Sequence, residues 1–393
     1  MDNEKQIAEI LTGIYGNRLI CGEVIGRYDS HVSDRDAKMQ VRLLHVDMTS
    51  EPMLKDKPRL VSDWDYRTAN TKEYTHGIHP YPAMMIPQVA RRLIQEYGYP
   101  GGILFDPYCG TGTTLLEAFL VGRESVGTDL NPLARLIAKV KTTPIDIIQL
   151  DLALERFVDF EIDAVTSSNG RVETPDFPNV DYWFDSRVQR ELTLIREYID
   201  LIDDTLIADF FRVAFSLTVR KTSWAKNSEF KLVRIPPESM KDHNPDVFST
   251  MVSILTCSRD AVLQLNNTPD QSVPLPSIYG FNSVAGVPEN VIEHDSVDLI
   301  VTSPPYGDSR TTVAYGQFSR LSSQWLGYED ASRIDNELMG GSKDQGDVSF
   351  EYEALDSTIR KIANANPKRS REVAALFGEY GASLMNVWGG GVG

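Results

Sequence analysis

The chain has 393 residues, 41% hydrophobic and 24% charged, with a formal net charge of −17. That makes a globular protein of one large or two ordinary domains, and it argues against a surface coated in non-specific nucleic-acid affinity while leaving room for a local basic groove. No run approaches a membrane span, no signal peptide follows the polar Met1-Asp2-Asn3-Glu4-Lys5, and the scattered Cys21, Cys109 and Cys257 fit no metal spacing, so a reducing, cytoplasmic setting is expected.

Residues 1–70 read as a mixed amino-terminal lead-in, with a helix over about 4–14 and strand-like pieces around 18–26 and 40–48. No chemistry attaches to them. Residues 71–144 form the next unit. From Tyr74 to Pro82, aromatics and prolines crowd around His76 and His79; no third ligand stands at metal spacing, so no metal is expected. A helix follows, with Ile86, Val89, Leu93 and Ile94 on one side and Pro87 near its start.

The short apolar strand 102–105 runs into Asp106-Pro107-Tyr108-Cys109-Gly110-Thr111-Gly112, and a helix opens with Leu115 to Ala118. Gly110 and Gly112 permit a tight turn and a close approach to a ligand. Phosphate is disfavoured, because no Lys follows the second glycine and Asp106 would repel an anion. A carboxylate there suits a cation, such as an amino-acid ammonium group. The next strand, Ser125 to Asp129, ends in an acid where nucleoside-binding α/β folds hold a ribose diol.

Residues 145–272 form a largely helical insertion. It has an amphipathic start (Ile145 to Phe160), a polar loop over 165–181, and one long helix with Val188, Leu192, Ile195, Ile199, Ile202 and Leu206 on its apolar face. Helix continues over 208–219 and returns over 247–265. Between these, residues 212–234 carry Arg212, Arg220, Lys221, Lys226, Lys231 and Arg234 against Glu229 alone. Such a run is either a solvated face or a nucleic-acid surface.

The last unit is 273–393, with a strand expected near 277–283. After it, Val297 to Val301 read as a strand buried on both faces of a parallel sheet, stopped by Pro304 and Pro305. The resulting rigid tip suits a flat ring bearing an amino group. The Ser303 hydroxyl and a proline-pair carbonyl can accept from the NH2, and Tyr306 can stack on the ring. Beyond it come a polar loop (307–312), a packing segment (315–326), a glycine-rich loop (335–350) and a helix over 370–388 with Val373, Leu376, Phe377, Tyr380 and Leu384 on one face. Arg360, Lys361, Lys368, Arg369 and Arg371 make a second basic cluster.

The glycine turn, the second-strand acid and the Thr302-Ser303-Pro304-Pro305-Tyr306 tip together resemble the S-adenosylmethionine-dependent DNA amino-methyltransferases, over roughly 71–142 and 275–325. The resemblance implies an α/β fold with a Rossmann-like class I methyltransferase sheet. It implies S-adenosylmethionine as cofactor, held by Asp106, Tyr108, Gly110, Thr111 and Gly112, with Asp129 and Leu130 at the ribose, Asn282 near the adenine, and His79 and Tyr81 in a segment closing over the methionine end. It makes Ser303, Pro304, Pro305 and Tyr306 the catalytic tip. Within the family a Ser-Pro-Pro-Tyr tip is typical of cytosine-N4 enzymes and an Asp- or Asn-Pro-Pro-Tyr tip of adenine-N6 enzymes. Ser303 therefore tilts the substrate towards cytosine N4 in double-stranded DNA, as in restriction–modification. Adenine N6, an RNA target and a silent or split subunit stand as alternatives. Carbon-five methylation is disfavoured, since no cysteine follows a proline.

The same resemblance gives the insertion a role in target recognition, with the basic 212–234 stretch, Trp224 and Phe230 contacting DNA. It also implies further strands after the 370–388 helix. None is found there, so either the product is naturally split or truncated, or the remaining strands come from a second polypeptide; a homodimer is the other partner expected.

Overall fold

In the computed structural model, residues 25–27, 64–166, 174–268, 272–305, 315–328, 333–339 and 349–388 are described. Five short strands form one sheet: β1 (Ile25–Arg27), β2 (Leu104–Asp106), β3 (Ser125–Thr128), β4 (Ser277–Tyr279) and β5 (Leu299–Val301), in the order β1-β5-β2-β3-β4. β4, β3, β2 and β5 run parallel, with Leu104 opposite both Ser125 and Leu299. β1 lies antiparallel on β5, Ile25 facing Val301 and Arg27 facing Leu299. The chain builds outwards from β2 through β3 to β4, then returns to β5 on the other side of β2. That reversal makes a switch point between β2 and its neighbours, and open α/β sheets bind ligands beyond the carboxyl ends of the strands there.

Three helices cover the sheet near that point: α1 (Pro87–Tyr97), α2 (Thr113–Leu120) and α3 (Pro132–Thr142). Proline at the first position of α1 costs no hydrogen bond, and the helix lays Val89, Ala90, Leu93 and Ile94 on Leu104, Leu299 and Val301. The Asn131 side chain caps α3 by accepting from the Leu133 amide.

The insertion supplies α4 (Ile147–Thr166), α5 (Ser186–Asp200), α6 (Thr205–Thr222) and α7 (Val247–Asn266), and α8 (Tyr315–Trp325) joins it from beyond the catalytic strand. Their common core holds Phe157, Phe211, Phe215 and Phe248, and the fully buried Trp325 meets the rings of Phe177, Phe184 and Phe215 edge-on. The single helix expected over 188–206 is two. Leu201 is 77% exposed at the break, and the Asp204 carboxylate accepts from the amides of Leu206 and Ile207, starting α6 afresh. Apolar periodicity carries across such a break, because it does not register the capping carboxylate.

The helix expected over 370–388 is α10 (Pro367–Trp388); a further helix, α9 (Glu353–Ala365), precedes it, and the two are separated because Pro367 forces Asn366 into an extended conformation. The large residues expected to form the buried face of α10 are only half-buried; Ser370, Ala374, Ala375 and Ser383 are the covered positions. The strand expected over 277–283 ends at Tyr279. No strand follows β5 among the described residues, and the strand beside β5 is β1, from a stretch to which the sequence assigned no role. The helix expected over 4–14, the strand piece at 40–48, Tyr306 and the loop after it lie outside the described residues. Among the described residues no helix is long and apolar enough to cross a membrane, and no group of three metal-ligating side chains occurs.

Candidate active site

The turn after β2 is held to the neighbouring strand by its own backbone. The Cys109 amide donates to the Thr128 carbonyl at 3.0 Å, and the Gly112 amide to the Cys109 carbonyl at 2.7 Å. Gly112 has φ +76°, and a Cβ there would stand 2.9 Å from that of Ala138 on α3. Only glycine permits both the left-handed backbone and the close helix.

Two carboxylates, Asp106 buried and Asp129 partly so, face the space above this turn. Asp106 accepts from the Thr302 hydroxyl at 2.6 Å and from the Tyr108 amide at 3.1 Å. The first of these bonds ties the end of β2 to the end of β5, residues far apart in the chain. Asp129 accepts from the Asn131 amide at 2.7 Å and from the Gly110 amide at 3.1 Å. Burial pushes both carboxyls up to about 6, with their hydrogen bonds opposing the shift.

Between them opens a cleft of about 1020 Å³, part of it open to solvent. Tyr81, Asp106, Tyr108, Gly110, Thr111, Asp129, Leu130, Asn282, Ser303 and Pro305 border it, so ten of the residues picked out in the sequence meet at one site. Among the described residues its lining includes two acids and no Lys, Arg or His, which suits a cationic ligand. The single cavity spans both strand tips, so a ligand on the β2–β3 side lies within reach of one on the β5 side.

Three of the expected residues do not border the cleft. Gly112 sits behind the turn, and Pro304 is absent from the lining. His79 lies away from the lining: it is buried against the helical layer, with Nε2 3.1 Å from Ser216 Oγ and its ring edge-on to Phe318. Burial holds its pKa down at about 3, so it is a neutral packing residue. Tyr306 lies outside the described residues.

The structure adds residues that the sequence did not single out. Asn131 donates to the Tyr81 hydroxyl at 2.8 Å and to Ser319 Oγ at 2.9 Å, fastening the aromatic wall to α8. Tyr315 of α8 borders the cleft and stacks on Tyr81 with ring centroids 6.2 Å apart. On the opposite wall the Tyr108 hydroxyl donates to Ser383 of α10, and Ser383 donates to Ser283 at 2.7 Å. Asn386 holds the carbonyls of Ser283 and Val284 at 3.0 and 2.9 Å. Asn131 carried a signal, an Asn before a proline that opens a helix. The contacts of α10 carried none, since they join segments a hundred residues apart.

The basic stretch 212–234 is largely engaged with the protein itself. Arg220 is buried, its guanidinium 4.2 Å above the Phe318 ring and donating to the carbonyls of Phe318 and Glu229. Arg234 lies over Tyr182 and Trp224, at 4.0 and 4.8 Å. Arg212 pairs with Asp209 and Asp200, and Lys226 with Glu229. Lys221 is exposed.

The site is thus a strand-end cleft of an α/β sheet, bearing two carboxylates and opening onto a Ser-Pro-Pro tip. Comparison with known proteins narrows the class. A family model described as DNA methylase, for N6 and N4 methyltransferases, matches residues 28–139. Type II methyltransferase M.MvaI of Kocuria varians is 37% identical over 345 residues, covering 82% of this chain and 75% of that protein. Type II methyltransferase M.MjaII of Methanocaldococcus jannaschii is 40% identical over 93 residues, 22% of this chain and 18% of that protein. A tRNA (guanine(10)-N2)-dimethyltransferase of Methanothermobacter thermautotrophicus is 31% identical over 128 residues, 29% of this chain and 37% of that protein. No solved structure matches. The chain belongs to the N6/N4 amino-methyltransferase family of DNA methylases.

Proposed function

We propose that the protein methylates the N4 amine of cytosine in double-stranded DNA, as a restriction–modification methyltransferase does, with S-adenosylmethionine as donor. The observation that carries this is the 2.6 Å bond from Thr302 to Asp106, which draws the amine-binding tip to the rim of the acid-lined cleft. When bound, the cofactor supplies a methyl group on a positively charged sulfur. Asp129 accepts from the ribose hydroxyls, and Asp106 with the 110–112 backbone faces the amino-acid end. Asn282 flanks the adenine, and Tyr108 and Tyr81 form opposite walls.

The target base leaves the duplex stack to reach such a site. Ser303 and the Pro304 carbonyl accept hydrogen bonds from its amine, and Tyr306 stacks on the ring. Those bonds would turn the nitrogen lone pair out of conjugation, so that the N–C bond can form as the donor's S–C bond breaks, with one amine proton released to solvent. Position and exclusion of water supply most of the rate. The helical insertion with α8 forms the wall that the DNA approaches.

Ser303→Ala is expected to lower turnover on duplex DNA about 100-fold or more, as loss of one positioned hydrogen-bonding group does, while cofactor binding persists. Full activity in that variant would remove Ser303 from its role. Mass spectrometry of the product nucleosides should show N4-methylcytosine; N6-methyladenine, or transfer to RNA in preference to DNA, would overturn the choice of target.

A further inference from the structure

We infer that Lys141, acting through the Thr111 hydroxyl beneath the first turn of α2, supplies the positive charge that receives the carboxylate of the cofactor's amino-acid part. The inference rests on the cofactor assignment above and assigns a residue that the sequence did not mark.

Lys141 lies in the last turn of α3 and is one of the largest side chains fully removed from solvent. A buried ammonium requires partners for its charge and its three N–H groups. Among the described residues Nζ has one hydrogen bond, a long one of 3.5 Å to Thr111 Oγ1. The nearby Glu117 is already committed: it takes His76 Nε2 at 2.8 Å and Arg91 Nε at 2.7 Å. The charged and titratable groups that face the lysine among the described residues are Glu117 on α2 and His76 and His79 on the segment before α1, with Arg91 of α1 bound in turn to Glu117. Both histidines are held neutral by burial, and burial likewise brings Lys141 down to about 7. The ammonium is therefore under-partnered on the side of Thr111.

Thr111 lines the cleft, and so do Thr113 and Thr114 in the first turn of α2. The cap of that helix is Gly112, which offers no side-chain acceptor to the first-turn amides. An anion at this point meets the amides, the positive end of the helix dipole and the Thr111 hydroxyl backed by Lys141. Among the described residues the lining contains two acids and no basic residue. Asp106 therefore answers the ammonium and Asp129 the ribose, and among the described residues the charge placed to receive the carboxylate is the one behind Thr111. Bringing the carboxylate in favours the charged lysine, so Lys141 takes up a proton as the ligand binds.

The test compares S-adenosylmethionine with its decarboxylated analogue by isothermal titration. Wild type is expected to bind the intact compound more tightly. In Lys141→Met that preference should shrink about 10- to 100-fold, the worth of a charge-assisted hydrogen bond, while the analogue binds within about threefold of wild type on the same scale. Equal weakening of both ligands, or of neither, overturns the inference. Lys141→Arg keeps its charge at every accessible pH. It should retain the preference and hold it more nearly constant from pH 7 to 9 than wild type; identical pH profiles in the two proteins overturn the inference even if the Met variant does not fold. Failure of wild type to bind either ligand would instead sink the cofactor assignment itself.

Discussion

The glycine turn at 106–112 and the basic stretch at 212–234 are the two most conspicuous segments of this sequence, and they fare differently in the fold. Six of the seven turn residues line one cleft. The cations of the basic stretch scatter: Arg220 goes inside, Arg234 lies flat on two rings, and Arg212 and Lys226 meet acids. A glycine turn between strand and helix constrains the backbone, so its geometry follows from the sequence. A run of charges constrains only composition, and arginine in particular has a planar face and a long apolar stem that allow it to pack.

The sharpest way to break this comparison is Arg220→Ala. Removing the guanidinium strips the Phe318 and Glu229 carbonyls of their donor and leaves a void beside the Phe318 ring. A loss of about 2–4 kcal/mol in unfolding free energy is expected, against less than about 0.5 kcal/mol for exposed Lys221→Ala. Denaturant titration of the two variants measures both. Should Arg220→Ala fold as stably as wild type and lose only DNA binding, the stretch is a recognition surface and the contrast fails.

How much of the site could be read in advance follows the same division. Asp106, Gly110, Asp129 and Ser303 stand at strand ends, and strand ends on one rim of a parallel sheet meet by topology. His79 was read as a cofactor residue because it lies in an aromatic–proline segment before the turn. Its neighbour Tyr81 does reach the cleft, but Ser216 and Phe318 hold the His79 ring in the helical layer. No spacing rule reports which of two nearby side chains faces inward. The break before α6 and the clamp from α10 on Ser283 depend on a capping carboxylate and on contacts across the chain. A strand-like piece was expected around 18–26, but its antiparallel place beside β5 was not legible for the same reason, since pairing partners are not a local property.

The next effect in size belongs to the acids of the cleft. Asp129→Asn should weaken S-adenosylmethionine binding about 10-fold, by removing the charge that strengthens its hydrogen bonds to the ribose. In wild type, Asp106 and Asp129 titrate at about 6, above their ordinary range because they are buried. Protonation cancels the attraction to a cation, so affinity is present above that pH and falls as the pH drops through it. The fall should approach about tenfold per pH unit for each carboxyl that must ionise. Titrations from pH 5 to 7.5 measure it, and Asp129→Asn should show a shallower slope. A slope unchanged in the variant would mean that Asp129 does not face the cationic ligand, and the turn would lose the convergence that sets it apart from the basic stretch.

The smallest expected effect tests the other half of the comparison. Lys221 is exposed at the end of α6, beside the buried Arg220, and carries no ion pair among the described residues. If it touches a phosphate, Lys221→Ala should weaken duplex binding about two- to threefold at physiological salt, equally on any sequence, and lower the salt slope by about 1. Fluorescence anisotropy at several salt concentrations measures both quantities. A loss above about tenfold confined to one DNA sequence would be the size of a lost base contact. The basic stretch would then read bases through the few cations left outside, and its legibility in the sequence would equal that of the glycine turn.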